Sequence, residues 1–172
     1  IRFQNEATHL LPYIGFLWSP GDPRWGWGSG WFFSGFAQID LNTVGSPVEV
    51  LGPNALPVQE LGLLNEQNLG FLDAAAGYWL YRDPDAPRLT GLAVISELHY
   101  TTAIQDADRL AGTVNGGPFA INAVGNRFDV LNATIGIQAL LFDTSSLRVA
   151  GAFPIGDDDR RLFDSEVQVQ FN

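Results

Sequence analysis

The sequence predicts an all-β protein: an antiparallel up-and-down meander, forming a transmembrane β-barrel of about eight strands or part of a larger one. Three observations predict it. Apolar and polar side chains alternate with a period of two in segment after segment, Gly, Pro and Asp cluster between those segments, and charge is scarce.

The alternation is plainest in the closing hairpin, Leu147 to Asn172. Its last strand carries Phe163, Ser165, Val167, Val169 and Phe171 on one face and Leu162, Asp164, Glu166, Gln168 and Gln170 on the other. Such a strand suits the half-buried sheet of a soluble protein or the wall of a membrane barrel, and the remaining observations bear on that choice.

The 172 residues suffice for one domain with a substantial core, spanning 1–172. Apolar residues make up 46% and charged residues only 16%, against about a quarter in soluble proteins, so part of the surface is expected not to face water. A net charge of -10, with nine Arg and no Lys, argues against nucleic acid, which asks for a basic patch or stripe. With no Cys there is no disulfide framework and no thiolate nucleophile or metal ligand, and the redox compartment stays open. No apolar run reaches the roughly eighteen residues of a spanning helix, and no secretory signal is visible. With Ile at position 1 and no Met, the expectation is a mature or partial chain.

Along the chain, 1–9 reads as an entry segment. "LLPYIGFLWS" then alternates with both faces apolar, and Pro12 and Gly15 interrupt any helical reading, so it is a strand. "PGDPRWGWGSGW" reads as a loop, and "WFFSGFAQIDLN" as a strand of near-membrane length. "VEVLG" is a shorter strand, and "PNALPVQELGLLNEQ" reads as mostly irregular, able to hold a short helix, an edge strand or a loop. "NLGFLDAAAGYWLYR" sets Leu72, Ala74, Ala76, Tyr78 and Leu80 against Asp73, Ala75, Gly77, Trp79 and Tyr81, and "LTGLAVISELHYTT" returns after the turn "DPDAPR". From Ala103 to Asn126 the chain is Gly-rich and aperiodic and reads as a long loop, contrasting with the tight turns "DPDAP" and "DTSS", the loop asymmetry of an outer-membrane barrel. "FDVLNATIGIQALLFDTSSLRVAGAFPIG" is a hairpin with Leu131, Ala133, Ile135, Ile137, Ala139 and Leu141 on one face.

No catalytic constellation is legible, and the chain is read as a non-enzyme without cofactor or metal. His9 and His99 lack metal-ligand spacing. Glu97 and His99 share a face and could form an acid–base pair, but no further group completes a mechanism. The carboxylates of "GDDDRR" and "QDADR" do not follow a calcium-loop spacing and read as solvated turns. Asn132 in "NAT" falls inside a strand, against its use as a glycosylation acceptor.

More telling is what the polar faces hold together. Asp40, Asp73, Glu97, His99, Gln138, Arg148, Glu166 and Gln168 are the candidate lumen-lining residues, with Asn132 and Gln170 beside them. Trp25, Trp27, Trp31, Tyr78, Trp79 and Tyr81 are candidates for an aromatic girdle at a membrane interface; in a soluble fold the three Trp would instead tuck onto their own strands or stack on sugar.

"LLPYIGFLW", "WFFSGFAQIDL", "AAAGYWLYR", "LTGLAVISELHYTT", "FDVLNATIGI" and "LRVAGAFPIG...FDSEVQVQFN" together resemble the C-terminal part of the predicted outer-membrane β-barrel proteins of Planctomycetes, from about Leu10 to the end. The pair "GYWLYR" and "LTGL...ELHY" is the most specific. The resemblance implies a signal-bearing precursor with a further N-terminal barrel portion, neither of which is seen here, and supplies no substrate or catalytic residue. The expected role is a pore-forming, transport or structural protein of the bacterial outer membrane, with membrane lipid and further copies of itself as partners. The rival expectation is a secreted, extracellular β-sandwich or jelly-roll that binds carbohydrate or self-assembles through exposed strands.

Overall fold

The computed structural model describes residues 1–20, 30–51, 57–106, 108–114, 116–122, 127–142, 144–156 and 163–172. The fold is all-β, with antiparallel sheets and no helix among these residues. Thirteen strands are present: β1 (Arg2–Phe3), β2 (Thr8–Leu10), β3 (Tyr13–Trp18), β4 (Trp31–Val44), β5 (Ser46–Leu51), β6 (Pro57–Leu64), β7 (Leu69–Arg82), β8 (Leu89–Ala103), β9 (Arg109–Val114), β10 (Gly117–Asn122), β11 (Asp129–Leu141), β12 (Ser145–Ile155) and β13 (Glu166–Phe171). They fall into two compact units.

One unit comprises Ile1–Pro12, Gln38–Gly70 and Thr102–Phe128. In it β1, β5 and β6 form a three-stranded sheet and β9 pairs with β10. Along β5 every second side chain is buried, Ser46, Val48 and Val50 in turn, which is the period of two expected of a strand with one covered face. Two register shifts in the β5–β6 ladder, at Val48/Glu49 and Val50/Leu51, bend this hairpin. Beside the β9–β10 hairpin, Gly116 takes φ 81, the left-handed region that a side chain disfavours. Here the sequence reading changes: the aperiodic 103–126 segment contains this hairpin, and the irregular 53–67 segment contains β6. Both are short strands with Gly in their bodies, so no long alternation announces them.

The other unit comprises Tyr13–Ala37, Phe71–Thr101 and Asp129–Asn172. Its strands pair in the order β13-β12-β11-β8-β7-β4, with β3 beside β4. The antiparallel sheet expected from the sequence is therefore present, with the β5–β6 and β9–β10 pairs coming between its strands along the chain. A closed barrel is not found: β3 and β13 are the two edges of this sheet. The ladder is continuous where its register is defined, from Leu131↔Ile155 to Leu141↔Ser145 and from Leu147↔Phe171 to Ala152↔Glu166. The final strand is shorter than its alternation suggested and begins at Glu166.

This sheet has two unlike faces. One bears Leu72, Leu80, Leu98, Ile135, Ile137, Phe153, Val167 and Val169, and all are exposed, Ile135 by 61%, Val167 by 75% and Val169 by 68%. A soluble sandwich would bury such a row against a second layer. Facing Ile137 is Val149, which in turn faces Val169, so the apolar stripe crosses three strands in register.

Candidate functional site

The opposite face of the same sheet carries a polar ladder across four strands. Arg148 on β12 lies opposite Gln138 on β11, and its Nη2 donates to Gln138 Oε1 at 2.9 Å. Its Nη1 donates to Glu97 Oε1 on β8 at 3.1 Å. Glu97 Oε2 lies 3.5 Å from His99 Nε2, two residues further along the same face. His99 Nδ1 meets Asp73 Oδ1 on β7 at 2.7 Å; with the imidazole neutral, Nδ1 is the donor to that carboxylate.

The period of two explains the assembly: Glu97 and His99 share a side of β8 because they are two residues apart, and pairing of adjacent strands brings Asp73, Gln138 and Arg148 to that side. Glu97 is the least exposed of the ionisable members, at 19% of its side chain, and the forked guanidinium of Arg148 serves it and Gln138 at once. Five of the eight candidate lumen-lining residues are thus in one network. Gln168 lies opposite Ala150 and Glu166 opposite Ala152 on the edge strand β13. Asp40 belongs to the other unit, where it bonds His9 Nδ1, with Glu66 Oε2 3.5 Å from His9 Nε2. Asn132 Oδ1 is a buried atom without a partner.

The aromatic candidates divide between the faces. Trp31 and Tyr78 meet edge-on, with centroids 5.2 Å apart, and Trp31 stacks on Phe33 at 5.9 Å, which in turn stacks on Trp18 at 5.6 Å. These four form a continuous aromatic row beside the apolar stripe, and Trp18 and Phe33 were not singled out from the sequence as girdle residues. Their alternation with Phe16 and with Trp31 is the signal that could have found them. Trp79 turns the other way, packing on Phe32 at 5.4 Å and under Arg82, whose guanidinium carbon is 4.9 Å from its ring centroid. Tyr81 is 40% exposed. Trp25 and Trp27 lie outside the described residues, as do Ala107 in the "QDADR" turn and the 157–161 part of the acidic turn.

Among the described residues, no group of three His, Asp or Glu side chains is arranged to hold a metal ion. Among the described residues no helix is long and apolar enough to cross a membrane, which leaves crossing by strands open. No protein family, curated protein or solved structure matches the chain. The fold and site together define an antiparallel β-sheet protein with one exposed apolar face and one networked polar face.

Proposed function

We propose that this chain forms the wall of a bacterial outer-membrane β-barrel, its apolar face against lipid and its polar ladder toward a lumen, acting as a pore or transport protein or as a structural element of the envelope. The observation that carries this reading is the exposed, in-register stripe of Ile137, Val149 and Val169 on the face opposite Arg148 and Glu97. Strand lengths agree with it. A tilted membrane strand needs about 9–11 residues, and β4, β7, β8, β11 and β12 have 14, 14, 15, 13 and 11. The stacked row from Trp18 to Tyr78 is the kind of belt that settles at a membrane interface. The resemblance to the Planctomycetes barrel family points the same way.

In lipid every backbone group needs a partner within the protein, so the β3 and β13 edges must each be paired. Within this unit the sheet has seven strands, β3, β4, β7, β8, β11, β12 and β13, while an eighth, β2, pairs with the Leu41–Val44 end of β4 in the other unit. In an antiparallel meander the first and seventh run parallel, and bacterial barrels close antiparallel with an even number of strands. A barrel built on this sheet accordingly takes an odd number of further strands between β13 and β3.

The same free edges favour a second reading, a secreted assembly in which copies join edge to edge. Fractionation separates the two. On the membrane reading the chain stays with membranes through an alkaline wash, needs detergent for extraction and migrates differently on a gel before and after boiling. Recovery as a soluble oligomer in plain buffer sinks that reading and favours the second.

A further inference from the structure

One cavity lies apart from the polar ladder. It occupies about 340 Å³ where the ends of five strands meet, and its lining includes Arg82, Thr90, Leu140, Ser145, Ser146 and Asn172. The connections around it are held together by main-chain bonds. Phe142 N–H donates to the Arg88 carbonyl at 2.8 Å, and Ser146 and Asn172 exchange bonds of 2.9 and 3.0 Å.

The chain has 19 acidic residues against nine Arg, yet among the described residues this cavity is lined by an Arg and by no acidic side chain. The Arg82 guanidinium lies over the Trp79 ring with its carbon 4.9 Å from the centroid, an arrangement that satisfies its face and leaves its N–H edges available. Among the described residues no carboxylate forms an ion pair with it. The neighbouring Asp83 is directed to its own turn, its Oδ1 accepting the Asp85 N–H at 3.1 Å. Ser145 and Ser146 offer hydroxyl donors, and Thr90, only 6% exposed, forms part of the wall.

We propose that this cavity binds a phosphate group, with the Arg82 fork on two oxygens and the Ser145 and Ser146 hydroxyls donating to the others. A planar fork matched to paired oxygens, set among neutral donors, is the chemistry by which proteins hold such groups. The group's source is either free phosphate or the headgroup of a lipid, and both present the same oxygens.

The test titrates the full chain, purified in detergent or buffer, with inorganic phosphate, with a short-chain phosphatidate and with chloride at matched ionic strength, following Trp fluorescence. The expected result is a saturable response to the phosphates and none to chloride, weakened tenfold or more in Arg82→Gln and severalfold in a Ser145→Ala/Ser146→Ala variant that leaves the Arg–Trp contact in place. Circular dichroism checks that both variants are folded. Tighter binding of the phosphatidate assigns the site to lipid, and equal or tighter binding of inorganic phosphate assigns it to the free ion. No saturable response to either, or a response unchanged in both variants, overturns the proposal. This measurement does not depend on membrane insertion, so its outcome is separate from that of the barrel reading.

Discussion

Arg148 on β12 bonds Glu97 on β8 across the width of β11, Nη1 to Oε1 at 3.1 Å, while its second nitrogen holds Gln138 on β11 itself at 2.9 Å. One side chain therefore ties three strands. Removing it leaves a carboxylate only 19% exposed with His99 as its remaining neighbour, at 3.5 Å. Arg148→Met is expected to destabilise the sheet by about 1–2 kcal/mol, since Arg148's own exposure of 38% discounts the value of a buried charged bond. In a double-mutant cycle with Glu97→Gln, read by denaturant midpoints, the two losses should be less than additive. Strict additivity would show that the pair is not coupled.

The apolar stripe gives a prediction on which the membrane and soluble readings differ. Ile137→Arg puts a charge on an exposed position of β11. Against bilayer lipid it should cost about 2–4 kcal/mol, measured as unfolding in vesicles, whereas in an aqueous assembly with that face in water the change should be within about half a kcal/mol.

Gly136 tests how tightly β11 lies on β12. A Cβ there would sit 2.5 Å from the Val149 carbonyl oxygen and 2.6 Å from the Ala150 Cβ, neither of which can swing away. Gly136→Ala should therefore lower stability by about 1–3 kcal/mol. Gly117→Ala, whose new methyl meets only the Val114 carbonyl oxygen at 3.6 Å, should be close to neutral. The melting temperatures of the two variants, compared in one buffer, check this.

Asp108 predicts an acid-sensitive joint in the unit that holds β6 and β9. The Asn65 backbone N–H donates to its carboxylate at 3.0 Å, the Asn65 side-chain amide adds a second bond, and the two hold its pKa below the usual 3.8 despite some desolvation. The carboxylate is depressed in the folded state, so its contribution is present above 3.8 and is lost as pH falls through the lower, folded value. Asp108→Asn should be less stable than the parent at neutral pH, and the gap should narrow on acidification. An unchanged gap in an acid titration followed by circular dichroism would falsify the assignment.

The free edges yield the last prediction. The chain has no Cys, so introduced pairs report without background. Leu17→Cys with Val169→Cys should give no disulfide within one chain, because β3 and β13 are opposite edges of the sheet and a disulfide needs Cα atoms within about 7 Å. An efficient intramolecular bridge would mean that the sheet closes on itself by a parallel seam.

Much of the larger sheet was legible because its strands are long and two-faced. A period of two sustained over Leu131–Leu141 or Leu72–Leu80 assigns both the element and the face of each residue, and it is why Asp73, Glu97, His99, Gln138 and Arg148 were gathered before any pairing was known. Strand β6 and the β9–β10 hairpin were missed because they are short, carry Gly62 and Gly112 within their strands, and gain support from contacts distant in sequence such as Asn65 with Asp108. For Trp79, the parity written in the sequence already separated it from Tyr78, yet only the neighbours Phe32 and Arg82 determine what it does there.

The sequence by itself determined the long strands of the larger sheet and their two faces, because alternation is a local property of a pleated backbone. Which strands are neighbours, which edges stay unpaired and which polar groups meet were decided only by the tertiary structure. Strand pairing joins residues far apart along the chain, and the bonds of Arg148 to Glu97 and of His99 to Asp73 exist only once that pairing is made.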